Sequence, residues 1–340
     1  MVHGWAMWTS LRFLLPGFVI AVTLLTTACD SKQQQAAALA RNLYHFDASK
    51  ALHKDFDAAA ALEHLKAQVA FGPRPAGSEA LGKCRAYLTG QLQSFGWEVQ
   101  PQAFKEYTSK GEIEFINLRA RLPMQSEASK TWERPYAMLI GSHYDTKLFG
   151  AFNFVGANDG ASSTAVLLEM ARLLGKRPDA AQFVELVCFD GEEALIDYTP
   201  DASGMPKDGL YGSRHYAKLM RSWPKVQQPL SMFLLDMVGD KDLLVKIPSN
   251  STPILSQLIL ASAAELDLGK YFAEGSGGIT DDHVPFLYSG IPSVDIIDLN
   301  YTAWHTSSDT LDQVSAESLG IVGRTTLLAL EKYLSTSTMP

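Results

Sequence analysis

From residue 136 onward the chain repeats one pattern: a short apolar run, then a stretch with helical periodicity. The apolar runs are 136–141 (YAMLIG), 183–189 (FVELVCF), 230–238 (LSMFLLDMV) and 293–297 (SVDII); the helical stretches between and after them are 161–174, 210–221, 254–266 and 316–333. Strands that are apolar along their whole length, taking turns with helices, must be covered on both faces. That calls for a mostly parallel sheet between two helical layers. Upstream, 57–71 and 78–95 also carry helical periodicity, with FGPRPAGS as the loop between them. Segments 97–104 and 112–122 alternate as a hairpin or edge pair does, so the sheet is expected to be mixed. The predicted fold class is three-layer α/β/α with a mostly parallel mixed central sheet.

Sheets of this kind bind ligands outside the carboxyl ends of their strands, and polar residues recur there. YAMLIG is followed by Ser142, His143, Tyr144 and Asp145, and the next helix is preceded by Asn158 and Asp159. FVELVCF runs into Asp190, Gly191, Glu192 and Glu193; Asp236 ends SMFLLD; Asp281, Asp282, His283, Trp304 and His305 follow later crossovers. One Asp after a strand often caps the next helix, but this recurrence, with histidines among the carboxylates, needs another explanation. Glu192 and Glu193 at the mouth of a buried strand repel each other and lose hydration unless a cation sits nearby. Histidine with carboxylates, and no cysteine, is the mixed donor set of a catalytic Zn²⁺ site. Neighbouring side chains diverge in an extended segment, so one of the two glutamates can hold the metal while the other serves as acid/base beside it.

The remaining composition narrows the partners. A net charge of −8, with no basic run, excludes a nucleic-acid binder, whose phosphates need a basic face. Residues 11–28 (LRFLLPGFVIAVTLLTTA) have the length of a secretory leader and lead directly into Cys29. This resembles a bacterial lipoprotein signal, although Thr26 stands where that pattern usually has Leu, and Met7 offers an alternative start to Met1. The expected layout is a signal peptide over 1–28, a polar tether over 29–50 and a catalytic domain over 51–340. The protein would then be exported and held at the membrane through a lipidated Cys29, facing the periplasm or cell exterior. Asp30, directly after the cysteine, resembles an inner-membrane retention signal. Cys84 and Cys188 are expected to be buried free thiols.

In order along the chain, FGPRPAGS, GSHYD, GANDGASSTAVLLEMARLL, FDGEEA, LYGSRHYA, LLDMVG, DDHVPFLYSGIP and AWHT resemble the motifs of the zinc-dependent glutaminyl cyclases. These share an aminopeptidase-like fold with two-metal zinc aminopeptidases. The resemblance runs from about Phe56 to the C-terminus and implies conversion of N-terminal glutamine of peptides and proteins to pyroglutamate, with release of ammonia. By the same resemblance, Asp159, Glu193 and His305 hold a single Zn²⁺ and Glu192 is the proton shuttle. Asp236 and Asp281 support the shuttle, and Trp304 lines the substrate pocket. Tyr198 stands in the insertion IDYTPDASGMPKDG where the cyclases often place a Trp. Asp295 stands near the pocket where animal members carry a histidine.

The same residues leave other readings open. His143, Asp159, Glu193, Asp236 and His305 also match the ligands of a two-zinc aminopeptidase, in which Glu192 would activate water. Trp304 beside His305, the DDH triplet and the long insertion after FDGEEA favour the cyclase. A catalytically dead scaffold would have lost a ligand or Glu192, and neither is lost. His143 is read as a partner of the site or a vacant second-metal ligand, and Asp145 as the group that orients it. His283 is expected to make structural hydrogen bonds, Asp190 to satisfy donors in the turn at Gly191, and the Arg and Lys residues to occupy solvated faces.

Overall fold

The computed structural model describes residues 44–124, 130–198, 200–201 and 205–335. The expected leader, Cys29 and most of the tether lie outside these residues, as do parts of the insertion. The helices are α1 (Ala58–Val69), α2 (Glu79–Ser94), α3 (Ala161–Leu174), α4 (Pro178–Ala181), α5 (Tyr211–Met220), α6 (Pro253–Glu265), α7 (Val284–Tyr288) and α8 (Ala316–Ser335). The strands are β1 (Glu98–Thr108), β2 (Gly111–Arg121), β3 (Met138–His143), β4 (Val184–Phe189), β5 (Ser231–Asp236), β6 (Val245–Ile247), β7 (Phe272–Glu274) and β8 (Ser293–Ile297).

The main sheet has the order β1-β2-β4-β3-β5-β8. β1 and β2 form an antiparallel hairpin, β2 joins β4 antiparallel, and the β4-β3-β5-β8 block is parallel. The fold is thus the mixed, mostly parallel three-layer α/β/α arrangement, with the chain turning from one side of β3 to the other between β4 and β5. β6 and β7 form a separate parallel pair; both are too short for periodicity to reveal them.

Strand residues alternate between two cores. Met138, Ile140, Leu186, Phe233, Leu235 and Ile296 face the larger one, which includes residues of α1, α2, α3, α6 and α8. Leu139, Val187, Phe189, Met232 and Leu234 face a smaller one completed by Tyr216 and Met220 of α5 and Phe286 of α7. Burial on both faces explains why these strands read as continuous apolar runs. No helix among the described residues is long and apolar enough to cross a membrane.

Two sequence expectations need correction. The boundary at residue 50 falls late: Tyr44 is buried and its hydroxyl donates to Glu331 Oε1 at 2.8 Å, and Phe46 packs on the same core. Nor are the basic residues all on solvated faces. Buried Arg119 and Arg121 both pair with buried Glu185, Arg119 Nε at 2.7 Å and Arg121 Nε at 2.5 Å. Burial works against Glu185 ionising, yet the two guanidinium charges prevail and hold its carboxyl down at about 2. Arg74, in FGPRPAGS, is fully buried and donates to the carbonyls of Val155 (2.8 Å), Gly72 (3.1 Å) and Gly156 (3.3 Å). It thereby ties the first loop of the fold to the β3–α3 loop. The free cysteines Cys84 and Cys188 are both buried.

Candidate active site

The register of the parallel strands aligns their carboxyl ends: His143 pairs with Phe189 and Asp236 with Ile297. His143, the Asp190–Glu193 turn and Asp236 therefore emerge at one rim. Asp159 joins them from the start of α3, and His305 from the loop before α8. Gly160 permits this approach, because at φ +89° a Cβ there would stand 2.6 Å from Asp145 O and 3.1 Å from His143 Cε1. His305 itself has φ +54°, a left-handed conformation uncommon for a non-glycine residue. Strain of this kind persists where surrounding contacts enforce it, often at functional sites.

Asp159, Glu193 and His305 converge. His305 Nε2 lies 3.1 Å from Glu193 Oε1 and 3.4 Å from Asp159 Oδ2. Asp159 Oδ2 is buried without a hydrogen-bond partner, and the three residues place one donor atom each within reach of a common ion. Two carboxylates and an imidazole with an orphaned buried oxygen fit Zn²⁺. A second triad shares Asp159: His143 Nε2 stands 3.3 Å from Asp159 Oδ1 and 3.1 Å from Asp236 Oδ1, again close enough to hold an ion. Burial disfavours charge on His143, but Asp236, Asp145 and Asp159 outweigh it and hold the imidazole well above its ordinary range.

Glu192 falls outside both of these donor sets, lines the cavity above them and is almost wholly buried. Burial first, and then the charge of Glu193, keep its carboxyl well above the usual range. Its Oε1 accepts a hydrogen bond from the Tyr198 hydroxyl at 2.8 Å. Asp236 is raised to about 7 by burial, opposed by the charge of His143. Asp281 lies on the cavity wall, and a carboxyl oxygen of Asp295 lies within 4.8 Å of one of Asp281. Asp295 does not line the cavity; it is fully buried, because it projects from the middle of β8 rather than from its end. This burial corrects the expectation of a substrate contact. His283 is buried with its Nδ1 3.4 Å from Asp295 Oδ2, and burial lowers it to about 4. Asp281, His283 and Asp295 also fall within reach of one ion.

Above these groups opens a cavity of about 560 Å³. Its floor is acidic, and its upper wall includes Trp304, Leu299, Ile279, Pro200 and Pro206. Trp304 is 47% exposed at the mouth and stacks on the His305 ring, centroids 4.4 Å apart. Tyr198, from the insertion, lines the same space.

The supporting contacts differ from the sequence expectations. Asp145 lies 3.6 Å from His143 Nδ1, but its two oxygens accept the backbone N–H of Glu192 (3.1 Å) and Glu193 (3.2 Å). It fixes the turn more directly than it orients the histidine. Asp190 serves the neighbouring strand, accepting Ile116 N–H at 2.7 Å, rather than the turn at Gly191. Asp309 was missed altogether. It accepts the N–H of Asn158 and Asp159 and the hydroxyl of Tyr301. Its place four residues after His305 was the only sequence signal. Lys147 was also missed; its ammonium lies 3.5 Å from Glu193 Oε2.

Comparison with known proteins bears on this geometry. The profile of peptidase family M28 matches residues 117–330. The glutaminyl-peptide cyclotransferase-like protein of Mus musculus is 31% identical over 295 residues, spanning 77% of this chain and 72% of its own. The crystal structure of an Acidobacteriales bacterium glutaminyl cyclase aligns with a TM-score of 0.73 at 32% identity, over 82% of this chain and 94% of that one. A Zn-dependent exopeptidase from Parabacteroides distasonis aligns with a TM-score of 0.68 at 29% identity, over 81% and 98% respectively.

Proposed function

The chain belongs to peptidase family M28, among its glutaminyl cyclases, and from that premise we propose that it closes N-terminal glutamine of peptides and proteins to pyroglutamate through a single Zn²⁺ and a Glu192 proton shuttle. The observation that carries this reading is the carboxyl group stack beside Glu192. Asp281 shares the cavity wall with Glu192, and with Asp295 close by it adds acid groups that a two-metal peptidase ligand set does not need.

Asp159, Glu193 and His305 would hold the zinc, which when bound polarises the γ-carbonyl of the substrate glutamine and stabilises negative charge on its oxygen. The substrate's own α-amine is the nucleophile, so the chain must bring amine and γ-carbonyl together and keep water out. The cavity does both, with Trp304 and the apolar wall confining the glutamine side chain and proximity lowering the barrier. Glu192 accepts a proton as the amine nitrogen bonds to the carbonyl carbon of the γ-carboxamide. It returns that proton to the amide nitrogen as the carbon–nitrogen bond breaks and ammonia leaves. A carboxyl group held above its ordinary range suits a group that must both take and give a proton. Burial and the charges of Glu193, Asp281 and Asp282 keep it there, against the opposing charge of His143.

A two-metal aminopeptidase is the second reading, favoured by the His143–Asp159–Asp236 triad. Incubation with a Gln-initiated and a Leu-initiated peptide separates the two. Loss of one ammonia from the first alone supports the cyclase; removal of whole N-terminal residues from both overturns it. The leader-like segment 11–28 and Cys29 support an exported, lipid-anchored enzyme whose substrates are other exported chains.

A further inference from the structure

Glu193 has two oxygens with different neighbours. Oε1 faces His305 Nε2 at 3.1 Å, on the side of Asp159. Oε2 faces the Lys147 ammonium at 3.5 Å and the Tyr198 hydroxyl at 3.4 Å. Lys147 is itself fixed from several directions. It donates to the carbonyl of Ala194 at 2.9 Å and lies 5.2 Å from the centre of the Tyr198 ring, within cation–π range. Its side chain is only 12% exposed, and it is not part of the cavity wall. A lysine that bound substrate would face the cavity, and one serving only solubility would face water.

We propose that Lys147 is a positioning residue that claims Glu193 Oε2, so that Glu193 offers the metal Oε1 alone and a coordination position stays open for the substrate carbonyl. This rests on the zinc reading above. A carboxylate with both oxygens free can bind a divalent ion through one or through both, and a second bound oxygen fills a position that catalysis needs. A cation fixed against one oxygen removes that option, and outer partners of this kind tune both ligand orientation and metal affinity. The same ammonium links three chain segments: the loop after β3, the turn after β4, and the insertion carrying Tyr198. Ligand geometry is thereby tied to the wall of the cavity.

The test uses the cobalt(II)-substituted full chain, because the intensity of cobalt's visible bands falls as coordination rises from four to five. Lys147→Met keeps the stem and removes the charge; Lys147→Arg keeps a cation. The expected result is weakened cobalt bands in Lys147→Met, and kcat on a Gln-initiated peptide reduced roughly 10–100-fold with little change in KM. Lys147→Arg should hold the native bands. If Lys147→Met does not fold, Lys147→Gln, which retains a donor for Ala194 O, is expected to show the same weakened bands. Native bands and native kcat in the uncharged variant would overturn the inference, as would equal weakening in Lys147→Arg. Failure of the native chain to take up cobalt would instead overturn the zinc reading on which it rests.

Discussion

The Tyr198 hydroxyl donates a hydrogen bond to Glu192 Oε1 at 2.8 Å, from a loop inserted between β4 and α5. The proposed proton shuttle is therefore held by a residue of the insertion. Tyr198→Phe should leave the fold intact and free the Glu192 carboxyl to rotate. The expected loss is about tenfold in kcat, the worth of one buried hydrogen bond. Steady-state kinetics on a Gln-initiated peptide would check it, and an unchanged kcat would show that the hydroxyl does not hold the shuttle.

Glu192→Gln keeps the shape of the side chain but cannot take the amine proton. Ammonia release should fall roughly 10²–10⁴-fold, with bound zinc per chain unchanged, because Glu192 lies outside the proposed ligand set. Retained activity would move the shuttle elsewhere, with Asp281 the next carboxyl group to test.

Asp309 reaches Asp159 only through the backbone, accepting its N–H at 3.1 Å and that of Asn158 at 2.8 Å. Asp309→Ala leaves those amides unpaired and lets the start of α3 shift. Zinc affinity, measured by competition with a chelator, should weaken roughly 10–100-fold. Unaltered affinity would show that the loop is held well enough by Arg74 and its carbonyl contacts.

Far from the site, Glu185 makes a prediction about acid stability. Its folded carboxyl titrates at about 2, against an ordinary value of 4.5, because Arg119 and Arg121 outweigh the cost of its burial. A depressed folded value means that this stabilisation is complete above about pH 4.5 and disappears as the pH falls through about 2. Glu185→Gln leaves two buried guanidinium groups without their counter-charge and should cost roughly 3–5 kcal/mol at neutral pH. Denaturant unfolding at pH 7 and pH 3 would show a gap between native and variant proteins that narrows on acidification. A gap that stayed constant would contradict the ion-pair account.

The sheet was legible because burial on two faces leaves a local mark. β3, β4, β5 and β8 are buried at every position and mostly apolar, and α3 and α8 carry helical periodicity over their length. Asp236, Glu192 and His143 could be picked out for a related reason. In a parallel sheet, the place just beyond a strand's carboxyl end is both a sequence position and a position in space. Asp295 marks the limit of that rule. Two positions inside the end of β8, the same side-chain chemistry is enclosed by the protein and does not line the cavity.

The sequence by itself determined the order of elements, the mixed parallel sheet and the rim at which the acidic residues and histidines collect. Tertiary structure alone decided which oxygen of Glu193 faces His305 and which faces Lys147, and that Arg74, Asp145 and Asp309 hold the loops around them. The reason is the energetics of buried charge. Periodicity is set residue by residue along one element, whereas a charged group loses its hydration on burial and must recover that energy from whichever partners the fold brings near. For Arg74 those partners include carbonyls more than eighty residues away, and for Asp309 amides about one hundred and fifty residues away. No local pattern in the chain records contacts at such separations.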